Sequence, residues 1–363
     1  MAEMEKRGLR RGWTTGACAA AAARAAYTAL LTGAFPDPVA IKLPGGAQPR
    51  FALALQELNG KFARAGVIKD AGDDPDVTHG ALVVAEVAAT AAGTGISFRA
   101  GSGVGTVTRP GLPLAVGEPA INPGPRALIS ATLNAVASAC GRGAPDALVT
   151  LSIPGGEELA IKTLNGRLGI VGGLSILGTT GIVIPYSCAA WVHSIHRGID
   201  VARAAGLVHI AASTGSTSEA AVQRLYGLPE TALIDMGDFV GGTLKYLRRH
   251  PVPRLTLAGG IGKLAKLAQG HLDLHSDKSR VDVTALARML GDLGASNEIV
   301  AAASGANGAG EALMAATPEF APALIKRVAQ AAREVALATL AGGIEIDVAV
   351  FNRKGELEGQ AGG

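Results

Sequence analysis

The hydrophobic pattern of this chain changes near Pro185, and that change limits the possible folds more than any single motif. Before it, apolar and polar residues alternate in short runs, as across residues 40–68, where Asn59-Gly60 divides two strand-like segments. Both turn residues tolerate positive φ, so the pattern predicts a hairpin. After it, apolar runs of four or five residues alternate with helical stretches, the rhythm of a parallel sheet with helices on its faces. Residues 207–211, 232–234, 254–257 and 347–351 are the predicted strands. A single core rarely grows beyond about 250–300 residues, so 363 residues predict two domains. They are an α+β domain over residues 1–190 and an α/β domain with a small parallel sheet over 191–363. The boundary falls between Pro185 and Gly206, with the helix around Trp191 as connector.

The first half also predicts helices at 16–31, 78–92 and 126–139, and strands at 96–100, 104–108, 147–153 and 159–163. Lys6, Arg7, Arg10 and Arg11 precede the alanine run at 16–31 in the manner of a secretory signal. Arg24 interrupts the run, and Thr14 and Thr15 stand where helix caps belong, so it reads as a mature helix ending at Gly33 in a cytoplasmic protein. No run of about 18 uninterrupted apolar residues suggests a membrane span. Hydrophobic residues at 48% against 17% charged fit a globular chain, while a net charge of +3 and 4% aromatics disfavour nucleic-acid binding. Cys18, Cys140 and Cys188 fit neither a disulfide framework nor a zinc motif.

The densest polar feature is DAGDDPDVTHG, residues 70–80, with four aspartates and His79 between two apolar elements. Its spacing lacks the closing glutamate of a calcium loop. Magnesium held by two aspartates, a ligand, or a set of caps remain open. On the capping reading, Asp76 or Thr78 starts the following helix and Gly72 turns the chain, with Asp70 and His79 unexplained.

In a parallel sheet, ligands collect at the carboxyl ends of the strands. The loop ASTGSTSE, 212–219, suits a phosphate, carboxylate or ribose edge, or is simply a helix start in which Ser216 and Glu219 form a capping box. Asp235 follows Gly215 by the spacing at which dinucleotide folds place a ribose-binding acid. Asp238 is either a further ligand or a helix cap. The segment GGIGK at 259–263 has Leu264 where a phosphate loop needs Ser or Thr, which argues against ATP hydrolysis. His271, Asp273 and His275 alternate, so an extended chain would turn them to one side; no further ligand cluster accompanies them, and no metal site is assigned.

Taken in order, TTGACAA from Thr14, DAGDDPDVTHG from Asp70, GVGTVTRPGLPLAVGEPAINPGPR from Gly103, GRLGIVGGLSILGTTGIV from Gly166, MGDFVG from Met236 and GKLAKLAQG from Gly262 resemble the cobalt-precorrin-5B C(1)-methyltransferase family of anaerobic cobalamin biosynthesis. The resemblance runs from about residue 9 to 351. It implies S-adenosylmethionine as methyl donor, a tetrapyrrole acceptor that carries cobalt only as part of the substrate, and cobalt-precorrin-6A as product. It also implies a first domain similar to a permuted ribosomal S5 domain 2 and a Rossmann-like second domain.

Methyl transfer from a sulfonium needs positioning more than a covalent nucleophile. With the family in view, Asp70, Asp73 and His79 are the catalytic candidates, on one wall of an interdomain cleft. The acceptor's carboxylates favour cations and donors, which nominates Thr14, Thr15, Lys69, Arg109, Arg126, Arg167 and His275 for substrate binding, a solvated surface charge being the alternative for each of the four cations. Ser213, Gly215, Asp235, Asp238, Gly260 and Gly262 are the cofactor-binding candidates. A homo-oligomer is compatible with the sequence. A nonenzymatic tetrapyrrole-binding protein and a nicotinamide-dependent tetrapyrrole reductase stand as alternatives.

Overall fold

The computed structural model describes residues 8–362, so Lys6 and Arg7 of the basic N-terminal run lie outside the described residues. The chain divides into two compact units, Met1–Ser187 and Cys188–Gly363. Together they give a mixed α/β structure with parallel and antiparallel sheets.

Unit one comprises β1 (Gly12–Trp13), α1 (Thr15–Thr32), β2 (Val39–Ala40), β3 (Arg50–Phe51), β4 (Leu55–Leu58), β5 (Phe62–Ile68), β6 (Leu82–Ala89), β7 (Ile96–Ala100), β8 (Thr106–Val107), α2 (Pro123–Ala139), β9 (Ala147–Ser152), α3 (Gly156–Ala160), β10 (Ile170–Val171) and β11 (Ile182–Val183). Its main sheet has the order β4-β5-β6-β9-β7, antiparallel except for the β7–β9 pair. Helix α1 forms because alanine is the best helix former, Thr14 Oγ1 accepts from the Ala17 N–H at 3.1 Å, and Gly33 ends it in a left-handed turn. Its alanines are fully buried against β5, β6 and α2, where side chains this small let the helix lie close to the sheet.

Two sequence expectations fail here. Residues 82–89 are a central strand where the alanine content predicts a helix. Val83, Val84 and Val87 favour the pleated form, and pairing with β5 on one side and β9 on the other outweighs the helical preference of the alanines. Residues 159–163, expected as a strand, fall at the end of α3 and in the turn after it. Glu157 of α3 instead accepts the Gly103 N–H at 2.7 Å.

Unit two comprises α4 (Cys188–Ala204), β12 (His209–Ser213), α5 (Ser216–Tyr226), β13 (Leu233–Asp235), α6 (Val240–Leu247), β14 (Arg254–Gly259), α7 (Ile261–Ala268), α8 (Val283–Asp292), α9 (Asn297–Ser304), α10 (Ala309–Ala315), α11 (Thr317–Leu340), β15 (Glu345–Phe351) and β16 (Leu357–Ala361). The strand order is β13-β12-β14-β15-β16, parallel except for the edge strand β16, which the sequence analysis did not anticipate. Side chains alternate across the sheet. Ala211, Leu233, Ala258, Ala349 and Phe351 face α5, whereas Ile210, Ile234, Leu257 and Val348 face the larger core built with α4, α6, α7 and α11. Among the described residues no helix is long and apolar enough to cross a membrane.

At the amino ends of these strands, on the α5 face, Arg254 Nε donates to Asp347 at 2.5 Å while its guanidinium lies over Tyr226. His209 Nε2 meets Thr256 Oγ1 at 2.8 Å. Burial, reinforced by the charge of Arg254, holds the His209 imidazole below its ordinary pKa. A folded-state value below the unfolded one stabilises the fold above about pH 6.5 and is lost as pH falls through the folded value. Melting followed from pH 7 to pH 5 is therefore expected to show acid destabilisation, and His209→Gln to make that slope shallower; an unchanged slope would remove His209 as its source.

Candidate functional site

In unit one, the N-terminal arm is laid against the acidic loop by main-chain bonds. Trp13 N–H donates to Asp70 O at 2.7 Å, Asp73 N–H donates to Arg10 O at 2.9 Å, and Arg11 bridges Gly72. The approach is so close that a Cβ on Gly12 would lie 2.0 Å from the Ala71 carbonyl carbon, and one on Gly72 2.1 Å from Arg10 O. Gly72 also has φ of +70°, so both close approach and backbone conformation call for glycine there.

Each aspartate of the loop has a partner. Asp70 receives both terminal nitrogens of Arg10, and its Oδ1 accepts the Gly72 N–H at 2.9 Å. Those hydrogen bonds lower its carboxyl pKa to about 2, so Asp70 is a carboxylate at neutral pH. Asp73 Oδ2 accepts the Arg10 N–H at 2.6 Å, and Asp74 Oδ1 accepts the Tyr186 N–H at 2.8 Å. Asp76 binds the Lys69 ammonium at 2.7 Å and also accepts from Thr78 N–H and Oγ1. Burial works against the Asp76 charge, but the Lys69 and Thr78 hydrogen bonds outweigh it and hold its pKa below the ordinary value. With β6 following, neither Asp76 nor Thr78 caps a helix; Asp76 closes a turn on Thr78 instead.

The candidate catalytic residues Asp70, Asp73 and His79 thus lie on one loop and its clamp. His79 Nδ1 accepts the Ala71 N–H at 3.1 Å and stands 3.9 Å from Asp70 Oδ1. That acceptor role leaves Nε2 as the protonated nitrogen of the neutral ring, on a half-exposed side chain. Beside Asp70, a depression of about 280 Å³ is walled by Trp13, Arg50, Phe51, Leu53 and Ile68.

The other first-unit candidates are distributed differently. Thr14 caps α1, and Thr15 Oγ1 exchanges hydrogen bonds with both main-chain groups of Leu177. Lys69 is only 1% exposed, its ammonium engaged by Asp76, which places it inside the loop and away from any rim. Arg126 is similarly occupied by Glu118 Oε2 and the carbonyls of Ile121 and Pro119. Arg109 and Arg167 come together: the Arg109 stem packs over Gly169 and its guanidinium reaches Arg167 O at 3.5 Å. Burial pushes the Cys18 thiol up to about 12, which leaves it inert.

In unit two, parallel register assembles the predicted residues. Ser213 and Asp235 are direct cross-strand partners at the carboxyl ends of β12 and β13, with side chains on the α5 face. Ser213 is fully buried, and its hydroxyl has no hydrogen-bond partner. Gly215 is the N-cap of α5 and Gly260 that of α7, each without a side-chain cap, so the first N–H groups of both helices are unspent. Ser216 is the first residue of α5 and not its N-cap, and Ser218 Oγ donates to Gly215 O at 2.9 Å. Gly262 lies in the first turn of α7 with open space beside it. Asp238 does not cap α6, whose N-cap is Phe239, and instead pairs with Lys263.

His275 reaches the same end of the sheet by a route the sequence hides. Leu274 N–H donates to Asp238 O at 2.9 Å, and Leu274 O accepts from Lys263 at 3.1 Å and Lys266 at 2.8 Å. His275 Nδ1 accepts the Asp277 N–H at 3.2 Å, on a half-exposed side chain. His271 and His275 do not join a metal cluster: among the described residues no group of three or more His, Cys, Asp or Glu could hold an ion. Sequence reasoning missed Arg10, Lys263 and Lys266. Arg10 carries no local signal because its partner lies 60 residues away.

A family model described as CbiD matches residues 2–185, and one described as CbiD, C-terminal domain, matches residues 273–362. A cobalt-precorrin-5B C(1)-methyltransferase of Bradyrhizobium sp. is 63% identical over 98% of this chain and 94% of its own length. One of Paramagnetospirillum magneticum is 57% identical over 98% of this chain and 99% of its own. A crystal structure of the cobalamin biosynthesis protein cbiD from Archaeoglobus fulgidus is 30% identical, covering 70% of this chain and 78% of that one, with a TM-score of 0.40.

The geometry of the arm separates two effects. Gly72→Ala is expected to destabilise unit one by at least about 1–3 kcal/mol, the cost of a strained left-handed residue before any collision with Arg10 is added. Asp70→Asn, which removes an exposed ion pair, is expected to shift the urea midpoint far less. Equal shifts would show that the ion pair, and not the main-chain interlock, holds the arm.

Proposed function

This chain belongs to the CbiD family, and from that membership we propose that it transfers a methyl group to C-1 of cobalt-precorrin-5B. The observation that carries the reading is end-to-end similarity to proteins of that name, at 63% identity over 98% of the chain. The chain is accordingly an enzyme, a methyltransferase, and its acceptor is a cobalt-containing tetrapyrrole.

The donor in this proposal is S-adenosylmethionine, held by unit two, which we read as Rossmann-like. When bound, it supplies an electrophilic methyl group on a cationic sulfur. The residues at the sheet's carboxyl ends suit it. The chain crosses from β12 to β13 on one side and then returns to β14 on the other, which makes the gap between β12 and β14 a topological switch point. Asp235 offers an acceptor for ribose hydroxyls, the buried Ser213 hydroxyl lies unpartnered on the same face, and Gly215 and Gly260 leave main-chain N–H groups for a carboxylate.

The acceptor's side-chain carboxylates call for hydrogen-bond donors. Unit one offers His79 through Nε2, with the positive charge of Arg109 and Arg167, and unit two offers His275. Asp70 and Asp73 act by holding the arm in place, since both carboxylates are already bound to Arg10. The work of these residues is orientation; no side chain is asked for a covalent bond.

Incubation of the purified protein with methyl-labelled donor and cobalt-precorrin-5B is expected to move label onto the macrocycle without any consumption of NADH. Label left on the donor would sink the reading. Asp235→Ala is expected to weaken donor binding at least about tenfold, about 1.4 kcal/mol, in a direct titration; an unchanged affinity would move the donor site away from β13.

A further inference from the structure

Lys266 is a charged residue in an unexpected place. It lies in α7, is 8% exposed, and its ammonium donates to a main-chain carbonyl, Leu274 O, at 2.8 Å. Taking an ammonium out of water costs several kcal/mol. One carbonyl offsets less of that than a carboxylate would. Burial, with the neighbouring Lys263 charge, holds its pKa below the usual lysine range. For packing alone, a methionine of similar length would fill the space at no such cost. The ammonium therefore has a task other than filling the core.

That task is visible in what it holds. Leu274 is fully buried and its peptide is gripped from both sides: Asp238 O takes the N–H, while Lys263 and Lys266 converge on the C=O. One residue further on, His275 is half-exposed, with its N–H on Asp273 Oδ1 at 3.1 Å and its Nδ1 accepting from Asp277. Ser279 closes the turn by donating from Oγ to Asp273 O at 2.8 Å and from N–H to His275 O at 2.9 Å. Upstream, Gly241 N–H donates to Leu272 O at 2.8 Å, with no room there for a Cβ. The strap over residues 272–279 is thus pinned beside Asp238, at the carboxyl end of the sheet, and the pin nearest His275 is the lysine pair.

We propose that Lys266 is a positioning residue for the methyl transfer: by gripping the Leu274 carbonyl together with Lys263, it fixes the strap that presents His275 Nε2 to a carboxylate of the tetrapyrrole. The proposal rests on the methyltransferase reading for its substrate, whereas the strap itself is tested without activity. Lys263 is the weaker half of the grip because it also pairs with Asp238 and is 35% exposed.

The test compares the full-length protein with Lys266→Met, Lys266→Gln and Lys266→Arg, by amide hydrogen exchange and by steady-state kinetics. Lys266→Met is expected to speed exchange across 272–279 at least about tenfold, equivalent to about 1.4 kcal/mol of lost local protection, while exchange in β12 and β14 stays unchanged. It is expected to raise KM for cobalt-precorrin-5B with little change in KM for the donor, and Lys266→Arg to restore both readouts in part. Should Lys266→Met not fold, Lys266→Gln, which keeps a donor on a shorter arm, is expected to give the same pattern at smaller amplitude. Unchanged exchange at 272–279, or equal loss for both substrates, overturns the proposal. Wild-type protein that moves no label defeats the methyltransferase reading instead, and the exchange data still decide whether Lys266 holds the strap.

Discussion

The parallel register of β12 with its two neighbours is the constraint on which the second unit's candidate site depends. Pairing Ser213 with Asp235 on one side and with Ala258 on the other brings these strands to their carboxyl ends at one level. Helices α5 and α7 therefore begin beside each other, each with glycine as its N-cap. A slip of one residue would turn Ser213 and Asp235 to the opposite face and place the apolar Ala212 and Ile234 against α5. Nothing in the loops themselves compels this arrangement. It follows from burial of alternate apolar residues on both faces of a sheet covered by helices.

The acidic loop of the first unit shows the opposite economy. A cluster of carboxylates in a chain with only 17% charged residues suggests a ligand site, yet its carboxylates are spent on internal partners. Main-chain N–H groups of Arg10, Gly72, Thr78 and Tyr186 take one oxygen each, and Arg10 and Lys69 supply the positive charge. Aspartate suits this because its short side chain accepts from main-chain donors in turns. The glycines at positions 12 and 72 let two backbones touch, and the aspartates then satisfy the N–H groups left over.

Much of the architecture was legible in the sequence. The two halves differ in hydrophobic rhythm, the Asn59-Gly60 turn joins β4 to β5, and Thr14 and Gly33 bound α1. Strand β6 was misread because alanine and valine together fit both a helix and a buried strand, and only its neighbours decide. Strand β16 is short and polar at its edge, with Gly359 and Gln360 interrupting any apolar alternation, so it is defined by pairing with β15 and not by its own composition. In the candidate sites, local motifs located the loops at 70–80, 213–215 and 259–263. The pairings Arg10–Asp70, Lys263–Asp238 and Lys266–Leu274 were illegible because each joins residues through the fold and has no periodic signature.

These pairings change which groups are available to an anionic substrate. Lys69, Arg126, Lys263 and Lys266 carry positive charge but are bound to carboxylates or carbonyls of their own unit. His79 and His275 are arranged alike: each accepts a main-chain N–H at Nδ1, which leaves Nε2 as the donor nitrogen of a half-exposed ring. A donor fixed by the backbone recognises a carboxylate through direction as well as through charge. For a reaction in which the acceptor carbon must be aligned with a methyl group, directional donors on short, tied-down loops favour one orientation of the ring over others of equal charge complementarity. On this argument the buried cations build the loops, and the histidines are left as the candidate donors of each unit.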